Sequence, residues 1–184
     1  MATTFVEIAN RAITFLGGDV LTDLTDDTKE GRAVNRIYEQ TRDALLRDHP
    51  WNFAIKRVSI SANATSPIWE YTNAFDWPSD ALRIIEVDTT EEWAVEARQI
   101  VSDAAAPLLI AYIHRVTDAS LFDAKFIEAF SLRLAADIAF DLTASESTAR
   151  VAETKFTTFM NEAKIVDGQE SLSADEQSWL DARA

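Results

Sequence analysis

Few residues in this chain have the type and spacing that chemistry requires. Two histidines occur, His49 beside Pro50 and His114 in a run with strand-like alternation. They are far apart in sequence, and no HExxH, glycine-rich phosphate loop or GxSxG frames either one. Cysteine is absent, which excludes thiolate nucleophiles, disulfides and thiolate metal sites. The acids Asp19, Asp23, Asp26 and Asp27 lie close together, but the D-x-D-x-D-G register and the closing glutamate of a calcium loop are missing. They read as a solvated loop whose last members lead into a helix. The pairs Glu91-Glu92 and Asp175-Glu176 lack the apolar surroundings that would raise a carboxyl pKa for acid/base work. The expectation is a protein that is not an enzyme, with no cofactor and no bound metal.

The elements that must position these residues are limited by length and composition. A chain of 184 residues, 47% hydrophobic and 26% charged, has the balance of a folded globular protein with one sizeable core. No apolar run approaches the roughly 18 residues that span a bilayer. The opening MATTFVEIANRAITFLGG lacks the basic flank of a signal peptide, so a soluble, cytoplasmically made chain is expected. The formal charge of -14, from 17 basic and 31 acidic residues, argues against a surface that holds nucleic acid by neutralising phosphates. An acidic wall that lets DNA pass is compatible with it.

Periodicity divides the chain into helix, strand and helix again. Phe5, Ile8, Ala9, Ala12, Ile13 and Leu16 recur at helical spacing, with Thr4 and Glu7 in capping-box positions and Gly17-Gly18 as a stop. Thr28 or Asp27 caps a second helix facing inward with Ala33, Val34, Ile37, Tyr38, Ala44 and Leu45; Pro50 ends it near Asp48. From Phe53 the period shortens to two. Strands are predicted from Phe53 to Ile60 and over Ile68–Phe75, Leu82–Val87, Trp93–Ile100 and Leu108–Val116, in a mostly antiparallel sheet. Helical period returns with Phe126, Ile127, Phe130, Leu134, Ala135, Ile138, Ala139 and Leu142. After a cap at Ser145 or Ser147 it continues through Val151, Ala152, Phe156, Phe159, Met160 and Ala163. The fold expected is α+β: a four-helix bundle (residues 1–52 and 117–167) with a β insertion (53–116) between helices two and three. A tail, 168–184, follows a stop at Gly168.

Four strings in this order resemble a known family. They are Asp48-His49-Pro50-Trp51-Asn52-Phe53-Ala54, preceded by Arg42, Leu45, Leu46 and Arg47; Trp77-Pro78-Ser79-Asp80-Ala81-Leu82-Arg83; Tyr112-Ile113-His114-Arg115-Val116-Thr117-Asp118; and Leu134-Ala135-Ala136-Asp137-Ile138-Ala139. Together with the first helix ending in Leu16-Gly17, they resemble the tail tubular protein A family, the head-to-tail adaptors of short-tailed bacteriophages. Glu96-Ala97-Arg98 departs from the pattern, which has a turn glycine there. In their own right the signature residues read as architecture. Pro50 stops a helix, Trp51 and Phe53 bury aromatic area, and Asn52 satisfies backbone groups. Pro78 and Asp80 form a turn, and Arg83 is a candidate for pairing with a nearby acid.

The resemblance implies a structural virion protein located in the phage tail and assembled in the host bacterial cytoplasm. Such adaptors form a ring of about twelve copies whose heterologous contacts close on themselves. The ring sits between the portal protein and the tail nozzle protein, with double-stranded DNA passing through and no membrane involved. An acidic DNA mimic or assembly chaperone is the alternative that fits the charge; a hydrolase using an Asp/Glu pair is a further alternative, against which a negative surface without a pocket of perturbed carboxylates would count. In the tail, Trp179, Leu180 and Arg183 are of the residue types that dominate binding energy at interfaces, and they are expected to dock on a partner.

Overall fold

Thr4 starts the first helix. Its hydroxyl accepts from the Glu7 N–H while the Glu7 carboxylate accepts from the Thr4 N–H at 2.8 Å, so two otherwise unpaired donors are satisfied. The computed structural model describes residues 4–171, with side chains through Lys164. Helix α1 (Phe5–Phe15) buries Ile8, Ala9, Ala12 and Ile13, and Gly17, at φ +77°, turns the chain out of it. Helix α2 (Lys29–Asp48) is capped by Thr28, whose Oγ1 accepts from the Gly31 N–H at 3.0 Å. It ends at Asp48, two residues before Pro50, as that proline demands.

A 3-10 turn (Asn52–Ala54) replaces the expected start of a strand at Phe53. The strands are β1 (Ile55–Ile60), β2 (Asn73–Asp76), β3 (Ala81–Asp88), β4 (Trp93–Glu96), β5 (Gln99–Ser102) and β6 (Leu108–His114). A second 3-10 turn (Ala119–Leu121) leads to α3 (Ala124–Thr143) and α4 (Glu146–Ser171). The described residues are thus α+β, with four helices and two small antiparallel sheets, ordered β1-β6-β3 and β2-β5-β4.

Two compact units result, one from residues up to Leu45 and from Val116 onward, the other Leu46–Arg115. In the helical unit α3 is the centre. Phe126, Ala129, Phe130, Leu134, Ala135, Ile138 and Ala139 are all buried, and the helix packs on α1 and α4. Tyr38 of α2 meets Phe130 in a tilted contact at 4.8 Å and Phe5 of α1 edge-on at 5.4 Å. Thr41 donates to Asp137, and Lys29 to the Leu142 carbonyl. Of the residues expected to face inward, Ala44 and Val151 are exposed, while Thr41 and Arg42 of α2 are buried in addition. Arg42 is tolerated inside because its Nε and Nη2 both reach the Asp43 carboxylate, at 2.9 and 2.8 Å.

In the β unit, Phe75, Val87, Ile100, Leu108, Ile110 and Tyr112 form the core, with Val58, Ile60, Trp77 and Ile84 packed around it. Three expected elements are corrected. Residues 68–72 are loop, not strand, because Pro67 and the polar run before it start a connection that the ladder rejoins only at Asn73. The single strand Trp93–Ile100 is a hairpin, β4–β5, reversing at Ala97 and Arg98 with φ of 45° and 63°; without a glycine the turn is invisible to composition. Lastly, α4 runs through Gly168 to Ser171, since one glycine costs a long helix only about 1 kcal/mol.

The α3–α4 reversal carries local strain. Ala144 closes α3 in the left-handed region at φ 51°, its N–H donating to the Phe140 carbonyl at 2.8 Å, and Ser145 then caps α4 by accepting from the Thr148 N–H. Glycine has no Cβ penalty in that conformation. Ala144→Gly is expected to stabilise the protein by about 1 kcal/mol, measured as a raised urea midpoint with unchanged m; a fall in midpoint would contradict this description of the turn.

Candidate functional site

The signature residues sit at joints of the β unit. Trp51 is 2% exposed and meets the His49 ring edge-on, with centroids 4.9 Å apart. Phe53 is half-buried and lies 6.4 Å from Trp51. Asn52 is exposed and opens the 3-10 turn, its carbonyl accepting from the Ile55 N–H. Pro50 performs the helix-stopping role read from sequence. The Ala54 carbonyl, one residue before β1, lies 2.8 Å from His114 Nδ1. A carbonyl only accepts, so Nδ1 carries the proton and the imidazole is used as a clasp between β1 and the end of β6.

The second joint is built around Asp80. The segment from Trp77 to Ala81 is a turn between β2 and β3 in which the Ala81 N–H donates to the Pro78 carbonyl and the Trp77 indole N–H to the Ala81 carbonyl, both at 2.9 Å. This aims Asp80 at β1 and β6. Its Oδ2 accepts from Lys56 Nζ at 2.9 Å, its Oδ1 from the Tyr112 hydroxyl at 3.0 Å, and its carbonyl from the Arg115 N–H at 2.7 Å. Lys56 also lies 5.9 Å from the Tyr112 ring centroid. Partial burial opposes ionisation of Asp80, but the Lys56 and Tyr112 hydrogen bonds outweigh it and hold the carboxyl below its usual range. The Asp80 hydrogen bond, with help from Tyr112, holds the Lys56 ammonium above its usual range. Desolvation, then Asp80, raises the Tyr112 phenol. At neutral pH none of the three groups is poised to exchange a proton, so the arrangement ties strands together. Arg83 makes no ion pair among the described residues. Its pairing, suggested by sequence, is replaced by a place in the β3–β6 ladder opposite Ile113.

The acidic loop is also architectural. Hydrogen-bond donors hold the Asp23 and Asp26 carboxyls below their usual range, against some desolvation. Asp23 accepts from the Thr25 hydroxyl and N–H; Asp26 accepts from the N–H groups of Asp23 and Thr22 and the Thr22 hydroxyl, which lowers both pKa values. Asp27 pairs with Arg32. A Cβ on Gly31 would fall 2.2 Å from the Asp26 carbonyl oxygen, so the close approach of loop to helix requires that glycine. Among the described residues no group of three or more His, Asp or Glu side chains could hold a metal ion. Trp179, Leu180 and Arg183 lie outside the described residues.

One feature escaped sequence reading. The loop between β1 and β2 presents Ile68, fully exposed, and Trp69, 77% exposed. Pro67 ahead of Ile-Trp-Glu-Tyr was the available signal, but enrichment in β-formers pointed to a strand. Compared with known proteins, the chain matches no family model and no curated protein sequence.

Trp51→Ala should cost about 3–5 kcal/mol of unfolding free energy, the range for emptying a buried indole site; a loss below about 1 kcal/mol would refute its burial. Asp80 has its folded pKa below the unfolded value of about 3.9, and Lys56 has its folded pKa above the unfolded value of about 10.4, so their mutual stabilisation is complete between those limits. It is lost as pH falls through the folded Asp80 pKa. Asp80→Asn should therefore lower the urea midpoint at pH 7, while the two proteins converge in strong acid; a difference that persists there would mean that charge is not what Asp80 contributes.

Proposed function

We propose that the chain is a structural virion protein, a head-to-tail adaptor that forms a ring between portal and tail nozzle in a short-tailed phage, through which DNA is ejected. In this reading the four helices form one bundle and the β unit is its insertion. What supports it most is a coincidence of motif and mechanics. The strings that resemble tail tubular protein A contain Pro50 at the end of α2, Trp51 in buried surroundings, and Trp77-Pro78-Ser79-Asp80 in the turn tied to Lys56 and Tyr112. Residues that a family would keep for architecture do architectural work here: His114 holds the Ala54 carbonyl, His49 packs its ring against Trp51, and Asp23 and Asp26 hold backbone N–H groups of their own loop.

Charge supports the same role. At -14 per chain, a ring of about twelve copies would carry a negative charge on the order of 170 before screening by counterions, a lining that DNA slides past without binding. The ring needs no metal, cofactor or catalytic group. Its function is geometric, two different faces of each copy meeting in a closed rotation.

Mass spectrometry of purified virions, together with cryo-electron microscopy of their tails, tests the proposal. The chain should be present at ring stoichiometry next to the portal. Its absence from particles, with abundance in host lysate, would overturn the adaptor reading and favour an acidic chaperone.

A further inference from the structure

The loop that carries Ile68 and Trp69 is built to hold them out. At its base, Asn63 N–H donates to the Ala74 carbonyl at 2.7 Å, Asn63 Nδ2 to Asp76 at 2.8 Å, and Ala62 bridges Phe75. On the other side, both the N–H and the hydroxyl of Thr72 donate to Asp103 Oδ1, and Asn73 Nδ2 donates to the Ala104 carbonyl. Next to Trp69 the backbone makes a three-residue turn in which the Tyr71 N–H donates to the Trp69 carbonyl at 2.9 Å, with Glu70 at φ 73°. A glutamate in that conformation is strained, and such strain concentrates where a surface is used. The loop and the β4–β5 turn line a hollow of about 570 Å3 that includes Pro67, Ile68, Trp69, Glu96 and Val101.

The surroundings give this apolar tip a sign. Glu70 stands in the turn itself, Glu96 lines the hollow, Asp103 ties Thr72, and Glu92 immediately precedes β4; after partial burial, their charges raise the Tyr71 phenol. Strand β4 lies at an edge of its sheet and shows Trp93 and Val95, 39% and 45% exposed. Ser102, buried in β5, accepts from the Ala104 N–H and donates to the Glu92 carbonyl at 2.8 Å, which fixes the start of that edge.

We infer that this tip of the β unit, Ile68 and Trp69 with the carboxylates of Glu70, Glu92, Glu96 and Asp103, is a docking surface for a protein partner that offers an apolar seat rimmed by lysine or arginine. Four carboxylates disfavour DNA and anionic lipid. They also disfavour a second copy of a chain that is itself strongly acidic. A partner of opposite sign gains the apolar burial and the electrostatic attraction together, the arrangement that gives both affinity and fast encounter. The surface does not depend on ring formation and stands apart from the adaptor reading.

The probe is a fluorescein-labelled peptide alternating leucine and lysine, titrated with the full chain and followed by anisotropy, with a leucine–glutamate peptide as counterpart. The native chain should bind the basic peptide alone. Ile68→Ser with Trp69→Ser should weaken binding at least about tenfold; both side chains are exposed, so circular dichroism and melting should match the native protein, and Trp69→Ser alone serves if they do not. Glu92→Lys with Glu96→Lys should weaken it as much, whereas Asp19→Lys with Glu39→Lys, the same change in net charge on the helical unit, should leave it within about twofold. Equal loss in that control, native affinity in the serine variants, or equal binding of the acidic peptide would overturn the proposal. So would vesicle binding to phosphatidylglycerol, or self-association in sedimentation, that the serine pair abolishes.

Discussion

The antiparallel pairing of β1 with β6 is the constraint on which the rest depends. Strand β1 follows α2 and β6 precedes the return to α3, and their register sets Ile55 opposite Ile113. Closing that long loop costs chain entropy once, and slowly with its length. Thereafter everything between is a separate excursion, and the segments before and after it build one helical unit. The bonds that guard this pairing are the ones at the joints. His114 clasps the Ala54 carbonyl, and Asp80 reaches across to Lys56 on β1 and Tyr112 on β6. Each fixes the ladder's end from outside the ladder, where fraying would begin.

The helical unit answers a different demand, since α3 must be covered by three neighbours. Its buried positions are Phe126, Phe130, Leu134 and Ile138 at helical spacing with Ala129, Ala135 and Ala139 between them, large and small residues alternating along one buried face. The aromatic group of Phe5, Tyr38, Phe122, Phe126 and Phe130 joins α1, α2 and α3 through edge and tilted contacts. Exposed Phe140 and Val151 lie outside this core; single apolar residues on a surface are ordinary.

What could be read from the sequence follows from where the information is local. Capping residues announce themselves: Thr4 with Glu7, Thr28 and Ser145 all accept the backbone N–H that their positions suggested. Pro50 ended α2 for a reason internal to its ring. The β unit was less legible because a strand is defined by its partner. Trp93–Ile100 has a continuous strand composition, and only the positive φ angles of Ala97 and Arg98 divide it. Ile68 to Phe75 has the same composition, yet only Asn73–Asp76 finds a partner in β5. The joint at Asp80 was half visible. Pro78 and Asp80 read as a turn, but Lys56 and Tyr112, from strands distant in sequence, could not be assigned to it without the register that brings them there.

The distribution of charge completes the picture. Acids next to donors do structural work: Asp23 and Asp26 order their loop, Asp43 neutralises the buried Arg42, and Asp123 caps α3 by accepting from the Lys125 N–H. Asp43 is offset by the Arg42 charge, whereas Asp23, Asp26 and Asp123 accept from neutral donors and keep their negative charge. At the base of the β1–β2 loop Asp76 accepts from Asn63 and Asp103 ties Thr72. Fully burying a side chain the size of Ile68 or Trp69 is worth roughly 1.5–3 kcal/mol, and the fold forgoes that at both positions while spending hydrogen bonds to fix the loop that carries them. The Thr72 and Asn73 anchors hold the base of that loop in place, and the strained turn at Glu70 lies next to Trp69.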